Sequence, residues 1–216
     1  MEKKISIEVS KSIGKVSAKI RGPKKPAGVL VLAHGAGAGM DHPFMVSLAE
    51  ELEAQAITTV RYNFPYMEAK RGRPDLPAIA TKTVASVVAQ AQKMFPKIPL
   101  FIAGKSFGGR MSSQWVSKEK PEGIRGIAFY GFPLHPPGSP SAERADHLFS
   151  IDIPILFLQG TRDSLANLEL LKGVCKKIPL STLVTFENAD HSFKAGKENI
   201  IPKLAAVTAR WMEGVI

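Results

Sequence analysis

The chain has 216 residues, 44% of them hydrophobic and 22% charged, which suits one soluble domain with a sizeable core, taken as residues 1–216. No apolar run reaches the length of a membrane-spanning helix. Residues 1–7 are polar and alternating, without a secretory signal core, and the single Cys175 excludes an internal disulfide or a thiolate cluster, so a cytoplasmic protein is expected. The net charge of +10 gathers near the start, in Lys3, Lys4, Lys11, Lys15, Lys19, Arg21, Lys24 and Lys25 against Glu2 and Glu8. Without interleaved aromatics or a nucleic-acid motif, that charge reads as a solvated sheet edge that resists edge-to-edge pairing. Neither a nucleic-acid nor a membrane partner is expected.

Residues 4–9 and 15–20 alternate apolar with polar around a turn at 10–14, which predicts a half-exposed β-hairpin at a sheet edge. Residues 28–33 are continuously apolar, as in a strand covered on both faces, and run into His34-Gly35-Ala36-Gly37-Ala38-Gly39. Asp41 and Pro43 mark a helix start, with Phe44, Leu48 and Leu52 on one face. Residues 57–62 read as the next strand, followed by a basic loop with Lys70, Arg71 and Arg73. Val84, Val87, Val88, Ala91, Met94 and Phe95 form a helical stripe, and residues 99–103 form a strand.

That strand ends in Gly104-Lys105-Ser106-Phe107-Gly108-Gly109, and Met111 and Trp115 continue with helical spacing. Strand, sharp turn and helix with a serine at the apex match the G-x-S-x-G nucleophile elbow. The turn forces the serine toward strained dihedrals, and the glycines remove side chains that would collide across it. For the string alone, a glycine-rich turn with an incidental serine is the plain alternative.

Further strands are expected at 124–130, 155–158 and 182–186. Residues 131–152 form a Pro- and Gly-rich connection with one short helix near 142–149, large enough for a cap. Leu165, Leu168 and Leu171 predict a helix, and a last helix carries Ile201, Leu204, Val207 and Trp211 with Pro202 in its first turn. Alternating strands and helices predict an α/β fold with a mostly parallel central sheet, helices on both faces and an N-terminal antiparallel hairpin.

In such sheets ligands bind beyond the carboxyl ends of the strands. A serine hydroxyl needs a base, and the base needs an anion to fix its tautomer. Asp163 follows one strand, in Gln159-Gly160-Thr161-Arg162-Asp163, and His191 follows the last, so the catalytic candidates are Ser106, Asp163 and His191 in that order. Asp163 could instead cap the next helix, Asp152 is the reserve acid, and Asp190 reads as a loop residue. His42 flanks a helix, His34 shapes the glycine-rich loop, and His135 and His147 are candidates to line a pocket. The oxyanion candidates are the amides of Phe107 and Ala36, with Gly35 and Gly37 as alternatives to Ala36. Lys105 reads as a solvated or salt-bridged side chain. Lys105, Arg71 and Arg73 are also weighed as substrate-binding charges, with Arg61, Lys70 and Arg110 as further positive groups. The glycine-rich loop lacks the G-K-[ST] ending of a phosphate loop, so no cofactor is expected.

Taken together, G-K-S-F-G-G-R-M, H-G-A-G-A-G-M-D-H-P, R-Y-N-F-P-Y with R-G-R-P-D, L-Q-G-T-R-D and A-D-H-S-F resemble a small α/β-hydrolase-like family, over roughly residues 28–213. Its branch contains testis-expressed protein thirty and a subunit of the non-specific lethal chromatin complex, and it is more distantly similar to dienelactone hydrolases. The resemblance implies an eight-stranded hydrolase core without a large lid, nucleophile Ser106, acid Asp163 and base His191. The residues themselves point to an esterase- or thioesterase-like serine hydrolase for a small acyl substrate, without metal or organic cofactor, whereas the family has no settled substrate. Unlike dienelactone hydrolases, the chain carries Ser at the elbow, and Cys175 is expected to pack in a helix. Some relatives serve as complex subunits, so a non-catalytic interaction module on the same scaffold is the competing class.

Overall fold

The computed structural model describes residues 2–216; Met1, the first residue of the expected domain, lies outside them. Strands β1 (Lys3–Ser10) and β2 (Gly14–Arg21) form the expected hairpin. Then come β3 (Gly28–Ala33), α1 (Pro43–Ala54), β4 (Ile57–Tyr62), a short α2 (Pro65–Glu68), α3 (Pro77–Met94), β5 (Leu100–Lys105), α4 (Phe107–Glu119) and β6 (Ile124–Tyr130). A 3-10 helix (Glu143–Ser150) precedes β7 (Ile155–Gly160), α5 (Leu168–Lys176), β8 (Ser181–Phe186), a two-residue hairpin of β9 (Lys194–Ala195) and β10 (Glu198–Asn199), and α6 (Ile201–Val215).

Eight strands make one sheet in the order β1-β2-β4-β3-β5-β6-β7-β8. From β4 to β8 all neighbours are parallel, while β1 and β2 close one edge antiparallel. This is the α/β-type sheet that the alternating pattern predicts, with the basic hairpin at its edge. Every residue of β3 is buried, as a continuous apolar run in a parallel sheet requires. Its side chains alternate between two cores. Val29, Val31 and Ala33 join Val84 and Val88 of α3, Met111 of α4 and Leu171 of α5. Leu30 and Leu32 join Met45, Leu48 and Leu52 of α1 and Leu204 of α6 on the other face. Burying each such aliphatic side chain contributes about 1.5–3 kcal/mol.

The site position follows from this winding. From β3 the chain crosses over by α1 to β4, then returns by α3 to β5 on the other side of β3. With right-handed crossovers on opposite faces, the loops after β3 and β5 diverge and leave a crevice at their carboxyl ends. No helix among the described residues is long and apolar enough to cross a membrane.

Local chemistry sets the helix ends. His42 caps α1, its Nδ1 accepting the Phe44 N–H at 3.3 Å, and Pro43 occupies the first turn. Pro202 sits in the first turn of α6 as expected. The expected helix through Leu165, Leu168 and Leu171 starts later, because Asn167 caps it by accepting the Leu170 N–H at 3.1 Å. Leu165 is left in the preceding turn. The connection 131–152 forms its short helix on the α4 side, with Phe132, Leu134, Ala145 and Leu148 buried in the core. Cys175 packs half-buried in α5, and burial pushes its thiol up to about 11.

Candidate active site

Ser106 caps α4 directly after β5, at φ 49° and ψ −114°, a strained backbone for a residue with a side chain. Two glycines make room for it. A Cβ on Gly104 would fall on the backbone of Gly108 and Gly109. One on Gly108 would stand 2.5 Å from the His34 carbonyl and 2.7 Å from the Ala33 Cβ. The first clash is the one expected across the turn. The second is with the neighbouring strand end, so Gly108 is what lets the helix start lie against the His34 loop.

His191 lies in the loop after β8, three strands away from β5, and reaches back over the sheet. Its Nε2 is 2.8 Å from Ser106 Oγ and its Nδ1 is 2.7 Å from Asp163 Oδ2. Asp163 sits in the turn after β7 with its carboxylate fully shielded from solvent. Its Oδ1 accepts the Leu165 N–H at 2.8 Å and Oδ2 also accepts the Gln159 side-chain N–H at 2.6 Å. Asp163 therefore does not cap the next helix, whose cap is Asn167; its Oδ1 closes the turn at Leu165 while its Oδ2 faces the histidine. With its Nδ1–H donated to the Asp163 carboxylate, His191 keeps Nε2 free to accept from the serine. Asp190, read as a loop residue, shapes the turn around His191: its Oδ1 accepts the Ser192 and Lys194 N–H groups at 2.8 and 2.9 Å. Asp152 is exposed and pairs only with Lys120 at 3.7 Å, outside the site.

A cleft of about 300 Å³ opens beside Ser106. Phe44, Met45 and Leu165 supply its apolar wall, and Gly35, Ala36 and His42 lie along its rim. Residues 131–152 contribute nothing to its lining. The amide of Phe107 is the first of α4, where a helix N–H has no partner within the helix. The Ala36 amide lies in the exposed turn on the cleft. Neither amide has a backbone partner among the described residues.

His34 is buried and shapes its loop as expected. Its Nε2 accepts the Phe64 N–H at 3.0 Å, so Nδ1 carries the proton and donates to the Gly35 carbonyl at 2.8 Å. Burial pulls its pKa down to about 4. His135 and His147 do not line the cleft. His135 accepts the Asn167 N–H at 2.7 Å and holds the Pro-rich connection to the turn before α5. His147 meets Ser113 Oγ at 2.7 Å on the α4 side, where burial pulls it down to about 4. Ser113 Oγ also lies 3.0 Å from the Arg110 carbonyl.

Of the weighed charges, Arg71, Arg73 and Arg61 fall elsewhere. Arg71 pairs with Asp75 at 2.7 Å, and Asp75 accepts the Tyr66 N–H at 2.9 Å, while the Tyr66 hydroxyl donates to the Gly35 carbonyl at 3.2 Å. Arg71 thus braces the glycine-rich loop from outside, and neither it nor the exposed Arg73 lines the cleft. Arg61 is buried, donating to the Met40 carbonyl at 2.8 Å and pairing with Glu2. Lys105 does line the cleft, part-buried and, among the described residues, without a salt bridge: its ammonium donates to the His191 carbonyl at 2.6 Å.

Sequence reading missed Gln159. Its Nε2 reaches Asp163, and its Oε1 accepts the Phe132 N–H at 3.0 Å. The available signal was a lone amide at the end of the buried run Ile155–Gly160. It also missed the α2 turn that carries Tyr66. Among the described residues, no group of three or more His, Cys, Asp or Glu is placed to hold a metal ion.

Residues 26–209 match the family described as alpha/beta hydrolase domain. Among solved structures, a dienelactone hydrolase from Anabaena variabilis is similar with a TM-score of 0.81 at 16% identity, over 100% of this chain and 98% of that one. An alpha-beta serine hydrolase homologue from Coxiella burnetii matches with a TM-score of 0.78 at 21% identity, over 97% of each chain. An α/β serine hydrolase without lid from Xanthomonas campestris matches with a TM-score of 0.75 at 17% identity, over 99% of this chain and 94% of that one. At these identities the likeness extends to the fold.

Proposed function

The chain belongs to the alpha/beta hydrolase domain family, and we propose that it is a serine hydrolase cleaving a carboxylic ester or thioester through an acyl-enzyme on Ser106. The observation that carries the reading is the unbroken hydrogen-bonded line from Ser106 Oγ through His191 to Asp163, at 2.8 and 2.7 Å, at the mouth of a cleft. His191 Nε2 takes the hydroxyl proton as Ser106 Oγ bonds to the acyl carbon. The Phe107 and Ala36 amides hold the oxyanion, and Asp163 stabilises the imidazolium. Collapse expels the alcohol or thiol, which takes the proton back from His191. Water then attacks the acyl-enzyme with His191 as base again, and free Ser106 returns with the carboxylic acid.

The cleft's small volume and apolar wall favour a short acyl chain. In this reading residues 1–216 act as one domain working on a small molecule in the cytoplasm. The five sequence blocks, in order, support placement in the branch of testis-expressed protein thirty.

A fluorophosphonate probe tests the assignment: the wild type is expected to label and Ser106→Ala is not. Turnover of short-chain 4-nitrophenyl esters is expected to disappear in the same variant. A wild type that neither labels nor turns over any chain length overturns the hydrolase reading in favour of an interaction module.

A further inference from the structure

Lys105 and Ser106 are consecutive, and they grip the same histidine from two sides. Ser106 Oγ meets the imidazole, while Lys105 Nζ donates to the His191 backbone carbonyl. The ammonium stands beside the stacked rings of Phe44 and Phe193, 6.0 and 5.6 Å from their centroids. Gly131 leaves the space for it. A Cβ there would stand 3.2 Å from Lys105 Nζ, 3.4 Å from His191 Nδ1 and 3.5 Å from Asp163 Oδ2, so all three groups gather around one missing side chain.

The location is costly for a lysine, because an ammonium surrendered to a low-dielectric pocket loses hydration that one carbonyl and two aromatic faces replace only in part. Burial pulls its pKa down to about 8, against the opposing charges of Asp163 and Asp190. A solvated or salt-bridged lysine would carry no such cost.

The loop needs an anchor at this point. It leaves β8, three strand spacings from β5, which is about 14 Å at the usual inter-strand distance. Its other hydrogen bonds stay within 186–194 or go to the Thr161–Asp163 turn after β7. Arg162 N–H donates to the Ala189 carbonyl at 2.9 Å and Asn188 N–H to Thr161 Oγ1 at 2.9 Å. Among the described residues, only Ser106 and Lys105 tie it by hydrogen bonds to the end of β5.

We propose that Lys105 is the positioning residue for His191, latching the loop after β8 to the end of β5 so that the imidazole stays in line with the serine hydroxyl. The inference rests on the reading of Ser106 and His191 as nucleophile and base. Groups facing the ammonium are Asp163 from the turn after β7, and His191 and Asp190 from the loop after β8. The latch is charged below about pH 8 and weakens above it, as the ammonium gives up its proton.

The experiment measures kcat and KM on a short-chain 4-nitrophenyl ester from pH 6 to 10, with amide hydrogen exchange of residues 187–193, in the wild type, Lys105→Met and Lys105→Arg. Lys105→Met is expected to lower kcat at pH 7 by about tenfold or more, as displacement of a base does, with KM within about twofold. The wild-type decline of kcat above about pH 8 disappears in the methionine variant, moves to higher pH in Lys105→Arg, and the arginine restores part of kcat. Exchange in 187–193 speeds up in Lys105→Met. Where methionine compromises folding, Lys105→Gln, which keeps a donor without the charge, is measured in its place. Unchanged kcat and unchanged exchange overturn the latch, as does a lowered kcat that retains the wild-type alkaline decline. A wild type without turnover sinks the nucleophile reading instead, and faster exchange in the methionine variant then still upholds the latch.

Discussion

Gln159 donates its side-chain N–H to Asp163 Oδ2 at 2.6 Å, on the same oxygen that faces His191 Nδ1. Its own orientation is set by the Phe132 N–H on Oε1, so the amide can only point its donor at the carboxylate. Replacing it by Gln159→Leu leaves a buried N–H unpaired and one carboxylate lone pair unsatisfied. A destabilisation of about 2 kcal/mol is expected in urea unfolding, along with a loss of about tenfold or more in kcat/KM on a 4-nitrophenyl ester. Wild-type stability in this variant would show that the amide contributes nothing.

The backbone at Ser106 has φ 49°, which a glycine adopts without a Cβ penalty. Ser106→Gly is expected to raise the unfolding free energy by about 1 kcal/mol while abolishing fluorophosphonate labelling. Ser106→Ala, which keeps the Cβ, is expected to lose labelling without the gain. Chemical denaturation of the three proteins side by side makes the comparison.

Two glycines in helices should respond in opposite directions. Gly108→Ala pushes a methyl to 2.5 Å from the His34 carbonyl, a backbone atom that cannot step aside. A cost of about 3 kcal/mol is expected. Gly173, inside α5, has open space where a Cβ would go and no left-handed φ. Gly173→Ala is expected to stabilise by about 0.5–1 kcal/mol. Thermal melts of both variants read the sign directly.

Acid should weaken the fold through His34. Burial lowers its folded pKa to about 4. Between the ordinary histidine value and about pH 4 the unfolded chain holds a proton that the folded chain lacks, so stability falls as pH drops across that window. The loss from this group is about 3 kcal/mol and is complete below pH 4, where both states are protonated. The dependence of the urea midpoint on pH should become shallower in His34→Gln, with His147, also held to about 4, carrying the remainder, and an unchanged slope would place the acid sensitivity elsewhere.

The linear pattern was legible where chemistry is local. The continuous apolar runs specified strands buried on both faces, the alternating hairpin specified an exposed edge, and Gly104 and Gly108 around Ser106 specified a tight turn. The order Ser106, Asp163, His191 carried over to three groups within hydrogen-bond reach, since each follows a parallel strand and all such ends meet at one edge of the sheet. Charge was less legible from the string alone. Arg71 and Arg73 sit in a basic loop weighed as substrate-binding charge, yet one braces a neighbouring loop and the other faces solvent.

The sequence by itself determined the alternating α/β architecture and the tight turn at Ser106, and it pointed to the three groups that the fold aligns, because periodicity, glycine sterics and chain order are properties of neighbouring residues. Only the tertiary structure decided which face of Asp163 meets His191, that Gln159 supports it, and that Lys105 turns inward to the His191 carbonyl. Those contacts join strands β5, β7 and β8 across the sheet, and a lysine's long stem reaches water or a distant carbonyl with equal ease until packing chooses between them.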